Sequence, residues 1–152
     1  MSETTTPGFS ISKIYTKDIS FESPKTPELF RTQWTPEVNI DLQTKHVELT
    51  ENLHEIVLTV TATVKHGEEN AFIAEVQQAG IFNTHNFQPE QLHYVLGSKC
   101  PDILFPYART VVDFLVVHGG FPPLNLAPVN FDALYAQHMQ DQKNPPTTDL
   151  IQ

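Results

Sequence analysis

Two consecutive alternating runs joined by a short turn limit what this chain can fold into more than any other feature. Ile56, Leu58, Val60, Ala62 and Val64 recur at every second position. After His66-Gly67-Glu68-Glu69, residues 71–82 form another extended run. A period of two is that of a β-strand. So short a turn makes the two strands antiparallel partners in a hairpin. In the second run Phe72, Ala74, Val76 and Gln78 point one way, and Ile73, Glu75, Gln77 and Ala79 the other. Both rows mix apolar and polar residues, so neither reads as plain core or plain solvent. A sheet surface of that kind is expected to meet another subunit.

Two more strands precede the hairpin. Over residues 9–22, Phe9, Ile11, Tyr15, Ile19 and Phe21 share one face. Ser10, Ser12, Thr16, Asp18, Ser20 and Glu22 share the other, which places Asp18 and Glu22 together on the solvent side. Val38, Ile40 and Leu42 alternate with Asn39, Asp41 and Gln43, as in an antiparallel sheet with one wet face. Between them, residues 23–36 hold Pro24, Pro27 and Pro36, which argues against regular structure. That loop still carries Leu29, Phe30 and Trp34, which must lie on something or wait for something to lie on them.

The second half of the chain changes period. Pro89 fits a first helical turn, Leu92, Val95 and Leu96 recur at helical spacing, and Gly97 ends the pattern. A second helix is predicted from Pro101 or Asp102 to His118, with a stripe of Leu104, Ala108, Val111, Val112 and Leu115. Gly119 and Gly120 suit its C-terminal cap. Asn130 suits the N-cap of a third helix, where Phe131, Leu134, Tyr135 and His138 line one face. Strands followed by helices give an α+β class: a four-stranded antiparallel sheet packed with helices from the C-terminal half. Residues 1–8 read as a disordered arm, 9–141 as one domain, and 142–152 as a mobile tail.

Charge and cysteine content narrow the partners. A formal charge of −9 disfavours phosphate backbones and favours a basic protein or peptide. The single cysteine, Cys100, permits no intrachain disulfide, which suits a reducing compartment. The first residues lack a basic segment followed by an apolar run, and no apolar run approaches spanning length. A soluble cytoplasmic protein is expected.

Catalytic patterns are sparse. The seven histidines show no helical or hairpin ligand spacing, so scattered surface histidines are expected, with no metal and no cofactor. Cys100, before Pro101 at a helix start, is open to reading as a nucleophile or as a small buried hydrophobe. Asp18 and Glu22, four residues apart on a strand, are separated by roughly 13 Å, too far for carboxylates sharing a reaction. They read as a solvated face or as an acidic docking surface. Phe30 and Trp34 read either as loop anchors or as part of an exposed apolar groove. The alternative class is an enzyme or small-ligand binder with a pocket under the proline-rich loop.

Four colinear segments carry a family resemblance. Ile14-Tyr15-Thr16-Lys17-Asp18-Ile19-Ser20-Phe21-Glu22 resembles the first strand of SecB, the bacterial protein-export chaperone family, and residues 75–82 resemble its fourth strand. Cys100-Pro101-Asp102-Ile103-Leu104-Phe105-Pro106-Tyr107-Ala108-Arg109 is similar to its central helix, and residues 124–134 to the entry into its last. The resemblance implies an ATP-independent holdase, not an enzyme. Such a holdase keeps unfolded precursors translocation-competent and passes them to the export motor SecA. It implies a homotetramer assembled as a dimer of dimers. By position it assigns SecA binding to Asp18, Glu22, Ile73 and Glu75, tetramer assembly to Ala74, Val76 and Gln78, and client binding to the loop with Phe30 and Trp34. The family's acidic C-terminal tail also touches SecA; here residues 143–152 hold one acid, Asp149.

Overall fold

The computed structural model describes residues 6–143. Four strands, β1 (Gly8–Glu22), β2 (Pro36–Thr50), β3 (Leu53–His66) and β4 (Glu69–His85), form one antiparallel sheet in the order β1-β4-β3-β2. Strands β2 to β4 are a meander, and β1 lies beside β4, which is the Greek-key order. The segment joining β1 to β2 therefore has to cross from one edge of the sheet to the other. Three helices follow: α1 (Pro89–Tyr94), α2 (Cys100–His118) and α3 (Phe131–Lys143). The architecture is α+β. The strand expected to begin at residue 9 begins at Gly8, and α3 continues through Gln142 and Lys143. Residues 1–5 and 144–152, in the expected arm and tail, lie outside the described residues.

The hairpin turn is as short as its sequence requires. His66 pairs with Glu69, and Gly67 sits at φ 68°, a left-handed conformation that glycine adopts without steric cost. β2 and β3 extend beyond their apolar runs to a second tight turn at Glu51-Asn52, where Thr50 faces Leu53.

One side of the sheet is covered by α2, which lies over β4 and β3 and leaves β2 at the margin. The covered row of β4, from Phe72 through Val76 to Phe82, is buried, as are Ile56, Leu58, Val60 and Val64 of β3. Leu104, Val112 and Val116 of α2 close over them. Each such side chain contributes about 1.5–3 kcal/mol on burial. The mixed composition of β4 thus conceals a true core face. Gln78 belongs to it because its amide is satisfied: it accepts from Thr16 Oγ1 at 2.9 Å and donates to the Tyr15 carbonyl at 3.1 Å.

Strand β1 departs from simple alternation. Its register with β4 shifts between Ile11 and Lys13 and again between Thr16 and Asp18. Each extra residue flips the strand's facing. Tyr15, expected beside Ile11 and Ile19, pairs with Ala79 on the uncovered side; Thr16 pairs with Gln78 on the core side. After the second bulge Asp18, Ser20 and Glu22 face away from α2, while Ile19 and Phe21 face it.

Gly97 does not end a helix. α1 runs through a π-turn (Val95–Lys99) straight into α2. The wider turn accommodates Pro101, which has no N–H to give the preceding carbonyls. Gly97 is instead a point of close approach, since a Cβ there would lie 2.8 Å from the Tyr135 ring of α3. The expected cap of α3 forms, with Asn130 Oδ1 accepting the Ala133 N–H at 3.0 Å. Asp132 then accepts from Ser98 at 2.6 Å and Tyr94 at 2.7 Å, fastening the first turn of α3 to the π-turn.

At the end of α2 a Cβ on Gly119 would lie 2.3 Å from the Phe21 ring. Phe21 is itself held by stacking on Phe72 at 5.5 Å. Gly119→Ala should therefore cost about 1–3 kcal/mol by overpacking. At this size that is a Tm lower by roughly 2–4 °C per kcal/mol, measurable by calorimetry.

Candidate functional site

The uncovered side of the sheet is polar and acidic near the β3–β4 turn. Glu22 pairs with Ile73, Ser20 with Glu75, and Asp18 with Gln77. Asp18, Glu22, Ile73 and Glu75 therefore share one surface. Asp18 and Glu22 are exposed, and Ile73 and Glu75 half-buried. Glu75 accepts a hydrogen bond from Thr61 Oγ1 at 2.8 Å, which orients it on a polar bed of Thr59, Thr61 and Thr63.

Farther along that side, Glu55 is nearly buried. Tyr15 donates a short hydrogen bond to its carboxylate, and the Lys17 ammonium lies 3.0 Å away. The Tyr15 bond, reinforced by Lys17, holds the Glu55 carboxyl below its ordinary range. Burial and the Glu55 charge push the Tyr15 phenol up to about 12. Lys17 is the residue that the second bulge inserts. The bulge thus pairs Glu55 with a cation, while Asp18, Glu22 and Glu75 form no salt bridge among the described residues.

The crossing loop between β1 and β2 packs by its aromatics. Phe30 and Trp34 each lie 5.2 Å from Phe121, and Phe121 lies 4.7 Å from Phe72. Trp34 also stacks on His66 at 5.7 Å, while His66 accepts the Thr35 N–H and bonds the Thr32 hydroxyl at 3.1 Å. Rings pack the underside of this loop. Trp34 is half-buried, and Phe30 remains 51% exposed.

An apolar floor leads away from Trp34. The inward side of β2 carries Val38, Ile40 and Leu42, with Val38 45% exposed because α2 stops short of it. The floor ends in a cavity of about 610 Å³ between β2, α1 and α3. Leu42, Leu92, Leu96, Phe131, Leu134 and Tyr135 give it apolar walls, and Thr44, His46, Glu48, His54, His93 and His138 give it polar ones. From Val38 to Glu48 the floor spans roughly 34 Å.

Four of the seven histidines converge on this cavity, contrary to the expectation of scattered surface residues. In the β2–β3 register Glu48 opposes His54 and His46 opposes Ile56, so the two imidazoles are diagonal neighbours. His46 Nε2 and His54 Nδ1 are 2.8 Å apart, and His54 is only 2% exposed. Among the described residues no group of three or more His, Cys, Asp or Glu is placed to hold a metal ion.

Ala74, Val76 and Gln78 lie beneath α2 and are buried within the protomer. They touch the helix, not the outside. Its outer side carries a second stripe, Ile103, Tyr107, Thr110, Phe114 and Val117, at alternating spacings of four and three residues. Tyr107 is 50%, Phe114 58% and Val117 50% exposed. The inner stripe is the one the sequence marks most strongly. The outer one is visible at heptad spacing, though Thr110 and Pro106 dilute it. Cys100 is fully buried, and burial pushes its thiol up to about 12, which leaves no nucleophile there.

The comparisons with known proteins agree with one another. The family model for SecB, preprotein translocase subunit SecB, matches residues 2–142. A protein-export protein SecB from Ectopseudomonas mendocina is 56% identical over 138 residues, covering 91% of this chain and 86% of its own. Another from Pseudomonas fluorescens is 53% identical over 150 residues, covering 99% and 93%. Among solved structures, the SecB-like chaperone Rv1957 of Mycobacterium tuberculosis, in complex with a ChAD peptide from the HigA1 antitoxin, superposes with a TM-score of 0.59. Its identity is 17%, over 80% of this chain and 90% of that one, so the likeness is one of fold.

Proposed function

This chain belongs to the SecB family and is a chaperone of protein export, and from that premise we propose that it works without ATP, holding unfolded precursors and delivering them to SecA. One observation carries the reading. A single sheet bears an acidic patch on its uncovered side and a long apolar floor on the other, so two partners can bind at once. The patch of Asp18, Glu22, Ile73 and Glu75 is the proposed SecA surface, where opposite charge speeds encounter. The client site is the floor along β2, from Phe30 and Trp34 to the cavity under α3. Extended chain suits it, because its length and apolar walls ask for little sequence specificity.

The assembly is a homotetramer, a dimer of dimers, in the cytoplasm. The exposed stripe of Tyr107, Phe114 and Val117 supports α2 as the surface joining the dimers. Ala74, Val76 and Gln78 then influence assembly by seating that helix. Several client floors on one particle add avidity without new contacts.

Dilution of a chemically unfolded polypeptide into buffer lacking nucleotide tests the holdase activity. Light scattering should stay near baseline at about one tetramer per client chain, and undiminished aggregation at a several-fold excess would refute the reading. Adding SecA to the client complex should give a ternary complex; strict competition between client and motor would sink the two-surface arrangement.

A further inference from the structure

The cavity at the end of the β2 floor contains chemistry that apolar capture does not require. His46 and His54 share one hydrogen bond at 2.8 Å, so one ring donates and the other must offer a bare lone pair. His54 Nε2 is buried with no hydrogen-bond partner. A buried lone pair is cheaper than a buried orphan N–H, which favours the arrangement in which His54 Nδ1–H donates to His46 Nε2. A proton arriving at either ring has no good place. On His46 Nε2 it sets two N–H groups against each other at 2.8 Å; on His54 Nε2 it puts an unsatisfied cation among apolar side chains.

We propose that the His46–His54 pair is an acid-operated latch on the client groove, closed and apolar when neutral, and split by protonation so that the groove releases extended chain. The inference rests on the client site proposed above and adds its regulation. Each neighbouring element bears on the pair. β2 presents the negative Glu48, and β4 sets the uncharged Phe82 opposite His54. α1 presents His93, whose Nδ1 is 2.5 Å from the Tyr135 hydroxyl of α3, and α3 also brings His138. Burial, then the His54 charge, pushes His46 below its ordinary value, against a smaller opposing pull from Glu48. Burial does the same to His54. Both rings are therefore neutral at neutral pH and take up protons only below about 6.5.

The sign follows from linkage. An apolar client laid over the cavity removes water from the exposed His46 ring, which shares its one hydrogen bond with buried His54, and disfavours its charged form further. The bound state thus holds fewer protons than the free state, so affinity falls as pH drops below about 6.5, and client occupancy lowers the His46 pKa in return.

The test uses the full chain and a fluorescent, reduced and alkylated polypeptide that cannot fold. Affinity should be about tenfold weaker at about pH 5.5 than at about pH 7.5. His54→Phe and His46→Gln should each flatten that dependence, and Leu42→Asp should weaken binding at every pH. If Leu42→Asp weakens binding but the parent chain shows no pH dependence, or both histidine variants keep the parental slope, the latch is refuted and the groove stands. If Leu42→Asp binds normally, the groove itself is misplaced. Imidazole NMR titration of the parent chain gives a readout independent of variant folding. His46 and His54 should titrate below the ordinary histidine value, and His46 lower still with client bound; titration of both at the ordinary value refutes the latch.

Discussion

Replacing both Asp18 and Glu75 with lysine should weaken SecA binding about a hundredfold while leaving client capture intact. The two carboxylates share the uncovered side of the sheet with Glu22, on adjacent strands whose register is fixed by the Ser20–Glu75 and Glu22–Ile73 pairs. Neither belongs to the core. Each reversal turns an attraction for a basic partner surface into a repulsion worth about 1.4 kcal/mol, a factor of ten per site. Interferometry at two ionic strengths checks this. The parent should lose affinity steeply with salt and the variant should not. Aggregation suppression and thermal midpoint should be unchanged. A variant that binds SecA normally would place the docking surface elsewhere, without touching membership of the family.

The second large effect is on assembly. Phe114→Asp combined with Val117→Asp should reduce the particle from four chains to two, read as a halved mass by light scattering. The two side chains sit one turn apart on the outer stripe of α2 and are more than half or half exposed in the protomer, so the protomer's own fold does not need them. Buried against another copy, each carboxylate would lack a partner and oppose association by about 3 kcal/mol or more, repeated in every chain. A variant that remained tetrameric would move the joint away from α2. The same measurement on Ala74→Leu separates direct from indirect roles. That residue is fully buried under α2, so its enlargement should lower the thermal midpoint together with any loss of assembly.

How much of this was legible before the structure depends on how locally each feature is encoded. The β3–β4 hairpin, the Asn130 cap and the shared side of Asp18 and Glu22 follow from residues a few positions apart, and they form as the sequence predicts. Tyr15 was misplaced because a bulge is one extra residue with no compositional mark, and two of them interrupt β1. Residues 44–50 carry no strand signal because α2 stops short of β2, leaving Thr44, His46 and Glu48 on an inward side without strong apolar selection. Gly97 looked like a stop signal, yet it serves the approach of Tyr135. The histidine cluster needed the Glu51-Asn52 turn, since only that register brings residues eight apart within one hydrogen bond. Along the proposed client floor, Trp34 is marked in the sequence as an aromatic in a stiff loop, but the cavity lies at the far end, where three elements converge.

The two free edges of the sheet differ in how far a foreign strand could zip along them. The pairing of β1 runs in blocks of residues 8–11, 13–16 and 18–22, broken by bulges that bend the strand. The ladder of β2 is unbroken from Pro36 to Glu48. A polypeptide that begins to hydrogen-bond along β1 loses step after four or five residues. One that begins along β2 keeps step for thirteen, directly beside the apolar floor. A protein that spends its life among unpaired, aggregation-prone chains is exposed to templated polymerisation at any flat edge. Here the irregular border interrupts such pairing, and the regular one opens onto the proposed client floor.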